Sequence, residues 1–164
     1  MRVYFDMDGT LAKWEWVGPD TYTAKGYFAT RPMITSMVEA AKLLAKKGIE
    51  VFILSKVLQD DHSLDDKNTW IDRVIGGKEV FPKERRIFVP YGEPKSKYVN
   101  VEKNDILVDD YNPNLKDWNG IAIKCLNGIN GGSNQWDGYT VDVRSTSKHI
   151  AKTIEGIYLS SVGG

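Results

Sequence analysis

Short apolar runs alternate with amphipathic stretches along most of the chain. Val3-Tyr4-Phe5 stops at Asp6 and has the length and content of a buried strand's tail. From Pro32 onward, Ile34, Met37, Val38, Ala41, Leu44 and Ala45 recur at helical spacing. Lys46 and Lys47 close that helix before Gly48, where cations complement the helix dipole. Residues 49–54, IEVFIL, predict a strand ending at Ser55. A second helix is expected from Ser63, with Asp66 as its capping partner, Trp70, Ile71 and Val74 on one face, and Gly76-Gly77 as its stop. Ile87-Phe88-Val89 reads as a strand closed by Pro90, residues 95–101 as a brief helix, and residues 105–108 as a strand ending at Asp109. Asn112-Pro113 starts a helix that Gly120 ends after Trp118, and residues 121–126 form the next strand. A Gly/Asn-rich loop, 127–138, precedes a last strand at 141–143. A final helix spans 145–160, with Ile150, Ala151, Ile154, Ile157 and Tyr158 inward.

Strands alternating with helices predict an α/β, Rossmann-like, three-layer fold: a mostly parallel sheet with helices on both faces. Residues 12–31 break the pattern. They carry Trp14, Trp16, Tyr22, Tyr27 and Phe28 among Gly18, Pro19 and Gly26 without a sustained period, so they read as a small cap insertion. At 164 residues, with no Pro- or Ser-rich linker, residues 1–164 are expected to form one domain.

Composition narrows the function classes. Lys and Arg total 22 and Asp and Glu total 22, so the formal charge is zero. Stable nucleic-acid wrapping or adhesion to an anionic membrane needs net positive charge, and neither is expected. No run reaches the roughly 18 apolar residues of a membrane span, and no apolar leader precedes Asp6. The single cysteine, Cys125, excludes an internal disulfide and a thiolate zinc cluster, which points to a cytoplasmic setting.

In open parallel sheets, ligands sit beyond the carboxyl ends of the strands, near the point where strand order reverses. Asp6-Met7-Asp8-Gly9-Thr10 follows the first strand, Ser55 the second, and Asp109-Asp110 the fourth; Lys95 and Lys97 lie at a helix start just before that fourth strand. Each piece has an ordinary reading. Asp-Gly is a hairpin signal, Ser55 suits a strand end, Lys95 suits a surface, and Asp109-Asp110 suits a helix start. All of these would have to hold at once. Converging carboxylates repel by roughly 4 kcal/mol per pair at ~4 Å and an effective dielectric near 20. A hard divalent cation relieves that repulsion, and magnesium suits oxygen ligands. A lysine and a hydroxyl would then hold phosphate oxygens, the arrangement that phosphoryl transfer needs.

These residues resemble the motifs of the haloacid dehalogenase (HAD) superfamily of phosphohydrolases. DMDGTL at residues 6–11 matches the first motif, Ile53-Leu54-Ser55 the second, Lys95 in PKSKYV the lysine motif with Lys97 as a substitute, and Asp109-Asp110 after ILV the fourth. The resemblance implies Asp6 as a nucleophile forming an aspartyl-phosphate and Asp8 as the acid/base. It implies Ser55 and Lys95 as phosphate ligands. It also implies Mg2+ held by Asp6, the Asp8 backbone carbonyl and one of Asp109 or Asp110. The second aspartate favours a phosphatase over a dehalogenase. GYFATRP, VDDYNPNL and KCLNGING are similar to the 5'(3')-deoxyribonucleotidase-like branch, although the space between Leu11 and Pro32 is too short for that branch's larger cap.

The expected substrate is a small phosphomonoester, with nucleotides the leading class; Trp14, Arg31 and Trp136 are candidate substrate contacts. Trp14 can stack a base or belong to the cap's own core, and Arg31 and Trp136 can equally be surface and loop residues. A sugar-phosphate or nucleic-acid-end phosphatase is the alternative, and a non-catalytic phosphate-binding module is a further one. A phosphate-accepting receiver domain is rejected, because its acidic pair comes first and its lysine last.

Overall fold

The computed structural model describes residues 1–74, 79–130 and 135–163. The expected helix stop at Gly76-Gly77 and part of the 127–138 loop lie outside them. Among the described residues, six strands form a single sheet: β1 (Arg2–Phe5), β2 (Glu50–Val57), β3 (Arg86–Pro90), β4 (Ile106–Asp109), β5 (Ile121–Leu126) and β6 (Tyr139–Asp142). Their order is β3-β2-β1-β4-β5-β6 and every neighbouring pair is parallel. The order turns back at the β1/β4 boundary, so the carboxyl ends of those two strands flank the switch point.

The two-residue period of a strand divides the core. Val3 and Phe5 of β1, with Ile106 and Val108 of β4, enter a large cluster that also holds Met37, Val38, Ala41 and Leu44 of α2 (Thr35–Lys46). Trp70 and Ile71 of α3 (Ser63–Val74) and Ile150, Ala151, Ile154 and Ile157 of α5 (Ser147–Val162) belong to the same cluster. Tyr4 and Leu107 point the other way, into a smaller cluster with Leu54, Val89, Leu115 and Trp118, covered by α4 (Asn112–Lys116). Both sheet faces are thus buried, as a parallel sheet requires. Among the described residues no helix is long and apolar enough to cross a membrane.

Several local expectations give way to tertiary pairing. Pro32 does not open α2. Ile34 N–H bonds Leu11 O at 2.7 Å and Lys13 N–H bonds Pro32 O at 2.8 Å, so residues 32–34 run extended beside the first loop and the helix starts at Thr35. β2 continues past Ser55 to Val57 because β3 still pairs with it there. Ser63 does not pair with Asp66 as a capping partner. Asp60 Oδ1 accepts the N–H groups of Ser63 (2.6 Å) and His62 (3.1 Å), and Asp66 instead accepts the N–H of Gly26 at 2.7 Å. The expected brief helix at 95–101 is a single 3-10 turn, Lys95–Tyr98. Asn112 begins α4 without capping it, the last strand starts earlier, at Tyr139, and α5 starts at Ser147 behind a Thr146 cap and runs on to Val162.

The excursion after β1 holds α1 (Pro19–Tyr22) and a 3-10 turn at Phe28–Thr30. Polar bonds fasten its return limb to α3. Besides the Gly26–Asp66 bond, Trp70 Nε1 donates to Arg31 O at 2.7 Å and Arg73 to Ala29 O at 2.6 Å.

Candidate active site

The loop leaving β1 is shaped by Met7 and Gly9. Met7 O accepts the N–H groups of Leu11 (2.9 Å) and Ala12 (2.8 Å), closing a tight turn beyond Asp6. Gly9 has φ +80°, and a Cβ there would lie 2.1 Å from Asp110 Oδ2. Only glycine lets this loop approach the end of β4 so closely. The Asp-Gly pair thus makes a close approach to a second acidic loop, and no hairpin.

Asp6 directly follows β1 and Asp109 ends β4, and with Asp110 they place carboxylate oxygens within 4.8 Å of one another. All three are buried. Lys95 Nζ sits between Asp6 Oδ1 and Asp109 Oδ2, 2.6 Å from each. Lys97, by contrast, is exposed and pairs with Glu93 at 2.7 Å, so the geometry brings Lys95 and not Lys97 to the cluster.

The two acidic neighbours at the end of β4 have different surroundings. Asp109 is fully engaged: besides Lys95, Asn114 Nδ2 donates to its Oδ2 at 2.9 Å and Tyr111 N–H to its Oδ1 at 2.8 Å. Asp110 receives Asn127 Nδ2 (2.8 Å) and Asn130 Nδ2 (2.5 Å) on Oδ2 alone. Among the described residues no donor meets Asp110 Oδ1 or Asp6 Oδ2.

Asp8 is not part of this trio. Its carboxylate pairs with Lys67 of α3, whose Nζ also donates to Ser55 Oγ (3.0 Å) and Lys56 O (2.6 Å) and lies 4.7 Å from the centre of the Phe28 ring. Asp8 keeps 22% of its side chain exposed, against 10% for Asp6 and none for Asp109, so solvent reaches the cluster from the Asp8 side. Ser55 is fully buried beneath Lys67.

Burial governs the charges. It pushes the Asp8 carboxyl up, an effect that Lys67 partly offsets. It pushes Asp109 up as well, against the pull of Lys95. Asp110 rises to about 8, first through burial and then through the charges of Asp109 and Asp6. Burial alone would lower the Lys95 ammonium, but Asp109 and Asp6 outweigh it and the net shift is upward. Among the described residues Lys95 is the one ammonium bonded to the carboxylates of this trio, which leaves them a surplus of negative charge. That surplus and the free hard oxygens on Asp6 and Asp110 fit a divalent cation of the magnesium type.

The candidate substrate residues are not drawn to this centre. Arg31 lies over the Tyr27 ring, 4.3 Å from its centre, and pairs with Glu15 at 3.4 Å. Trp136 donates its indole N–H to Tyr139 O at 3.0 Å and packs against the Tyr4–Trp118 cluster on the opposite sheet face. Trp14 packs beside Tyr22 and Tyr27 and lines a cleft of about 640 Å³ that also includes Lys13, Ile34, Asn127 and Arg144. Asn127 links this cleft to the carboxylates, donating to Asp110 Oδ2 at 2.8 Å and to Gly9 O at 2.7 Å.

Two buried lysines escaped the sequence reading. Lys67 stands on the α3 stripe formed by Ser63, Asp66, Trp70 and Ile71, where a charged residue among core positions signals a buried partner. Lys124 stands between Ile123 and Cys125 in β5, and its signal is of the same kind.

No family model matches the chain, and no curated protein matches its sequence. Solved structures match it by shape. D,D-heptose 1,7-bisphosphate phosphatase from Burkholderia thailandensis superposes with a TM-score of 0.60 at 13% identity, covering 95% of this chain and 97% of that one. A HAD hydrolase of family IA, variant 3, from Entamoeba histolytica gives 0.60 at 13% identity, covering 93% and 98%. An identity this low speaks to architecture alone: the chain has the α/β fold of HAD-type phosphatases.

Proposed function

We propose that the chain is a magnesium-dependent phosphomonoester hydrolase working through an aspartyl-phosphate on Asp6, with nucleotides as the leading substrate class. The observation that carries this reading is the convergence of Asp6, Asp109 and Asp110 around Lys95, with Asp8 beside them on a separate lysine. Asp6, Asp110 and the Asp8 carbonyl would hold the cation, because Asp109 already has donors on both oxygens. Bound there, Mg2+ supplies positive charge that lets an anionic phosphate approach an anionic carboxylate.

The chain's own groups divide the remaining work. An Asp6 oxygen attacks phosphorus as the ester P–O bond breaks, and the Asp8 carboxyl gives its proton to the departing oxygen. Burial raises the Asp8 carboxyl, the direction that favours an acid in that role, with Lys67 pulling the other way. The Asp8 carboxylate then takes a proton from the water that attacks phosphorus. The Asp6–phosphorus bond breaks, releasing inorganic phosphate and restoring Asp6. Lys95, Ser55 and Lys67 are the donors for the phosphate oxygens, and Lys67 adds a cation to the set expected from sequence. The cap insertion at 12–31, within one domain, and a cytoplasmic location belong to the same proposal. Trp14, which lines the same cleft as Asn127, supports a flat leaving group such as a nucleoside.

The test is phosphate release from a panel of 5'- and 3'-nucleotides, deoxynucleotides and sugar phosphates, with Mg2+ and with chelator. Mg2+-dependent release led by nucleotides supports the full proposal, and release led by sugar phosphates corrects the substrate class. No release from any member overturns the small-molecule reading.

A pH dependence follows as well. The Asp110 carboxyl, at about 8 in the fold against an ordinary 3.8, stabilises the metal-free fold at acidic pH, and that contribution is lost as pH rises through about 8. Cation binding must displace the proton, so the Mg2+-induced rise in Tm is expected to grow between pH about 6 and about 9. Thermal melts with and without Mg2+ check this, and a rise that shrinks with pH contradicts it.

A further inference from the structure

Lys124 is 1% exposed in β5, on the sheet face it shares with Tyr4 and Leu107. Its Nζ donates to Asp110 O (2.6 Å), Asn112 Oδ1 (2.6 Å) and Asn130 O (2.5 Å), so three ammonium hydrogens meet three acceptors. None of these acceptors is a carboxylate, so Lys124 is not paired with the charge of the acidic cluster. An apolar β-branched residue would suit this strand position at lower desolvation cost.

The acceptors belong to two different loops. Asp110 and Asn112 follow β4, whereas Asn130 follows β5. From the β5 loop, Asn127 and Asn130 both donate amides to Asp110 Oδ2, and Asn127 also reaches Gly9 O in the β1 loop. Asn127 Oδ1 in turn accepts the N–H groups of Ile129 (2.8 Å) and Asn130 (3.3 Å), so the β5 loop is folded back on itself. The Asp110 carboxylate is therefore held by two amides, one of them on Asn130, whose backbone carbonyl Lys124 binds, while Lys124 also holds the carbonyl of Asp110 itself.

We infer that Lys124 is a positioning residue of the cation site, clamping the segments after β4 and β5 so that Asp110 is gripped by Oδ2 and keeps Oδ1 free of protein donors beside Asp6 and Asp109. The inference rests on the reading of the carboxylate cluster as a Mg2+ site. Without the clamp, both ends of the Asp110 cradle lose a shared anchor, and the loss falls on metal affinity.

Isothermal titration of the full chain with MgCl2 tests this, with Lys124→Met as the main variant and circular dichroism as the fold control. The Mg2+ Kd of Lys124→Met is expected to rise roughly 10–100-fold, as it does when groups that orient metal ligands are removed. A lysine that only supports the fold lowers the metal-free Tm and leaves the Kd of the folded protein unchanged, and that result overturns the inference. Asn112→Leu removes one Lys124 acceptor from a partly exposed turn, and a several-fold weaker Kd is expected. If Lys124→Met does not fold, an unchanged Kd in Asn112→Leu overturns the inference instead. Wild-type protein that binds no Mg2+ overturns the cation-site reading and this inference with it.

Discussion

Asp6→Asn is expected to cut phosphate release by more than about 10³-fold while leaving the fold in place, because loss of a nucleophile removes the covalent route entirely. The substitution keeps the size of the side chain, and its amide oxygen can still accept from Lys95, so packing beyond the end of β1 is preserved. It also removes one of three crowded negative charges from beside Lys95. The variant should therefore melt at or above the wild-type temperature without metal, and the split between stability and turnover is diagnostic. A steady-state assay with the best substrate of the panel, beside a thermal melt, measures both. Asp6→Asn with turnover within tenfold of wild type would remove Asp6 from the chemistry.

Lys95→Met should act on stability as strongly as on turnover. Its ammonium is the direct counter-charge to Asp6 and Asp109, both buried, and methionine leaves those carboxylates facing Asp110 without it. Breaking a buried ion pair by removing one partner costs about 3–5 kcal/mol, here blunted by carboxylates that can take up protons. With about 3 kcal/mol lost, Tm should fall by roughly 6–12 °C for a chain of this size. Added Mg2+ should restore part of that fall, since the cation offsets the same repulsion. Lys97→Met, at an exposed pair with Glu93, should change stability by no more than about 0.5 kcal/mol. Equal melting of the two variants contradicts the central place given to Lys95.

The sheet and the strand-end acids were legible in the sequence because both follow from local rules. Apolar runs bounded by acids or glycine mark buried parallel strands, and a parallel sheet gathers its strand ends on one side. Strand order alone gathers Asp6 and Asp109 at one end of the sheet, but it leaves Lys95 and Lys97 as alternatives, which only the fold separates. Lys67 and Lys124 needed three dimensions, because neither follows a strand end. The first reaches across from α3 to Asp8, and the second lies inside β5 beneath two loops. Their residue type hid them, since lysine ordinarily reads as surface, and only an apolar frame on both sides gives it away. Pro32 misled for a related reason. Its fixed φ suits a first helical turn, but the Leu11–Ile34 and Lys13–Pro32 bonds hold it extended and delay the helix. Aromatic content also over-promised: Trp136 fills a position against the Tyr4–Trp118 cluster, on the sheet face away from the α2–α5 core.

The most direct test of the central claim is a rapid acid quench during turnover, followed by mass spectrometry of the peptide containing residues 6–11. The expected result is the added mass of one phosphoryl group on Asp6, formed only with Mg2+ present and absent from Asp6→Asn. Turnover that leaves this peptide unmodified, with the phosphoryl group on another residue, contradicts an aspartyl-phosphate at Asp6.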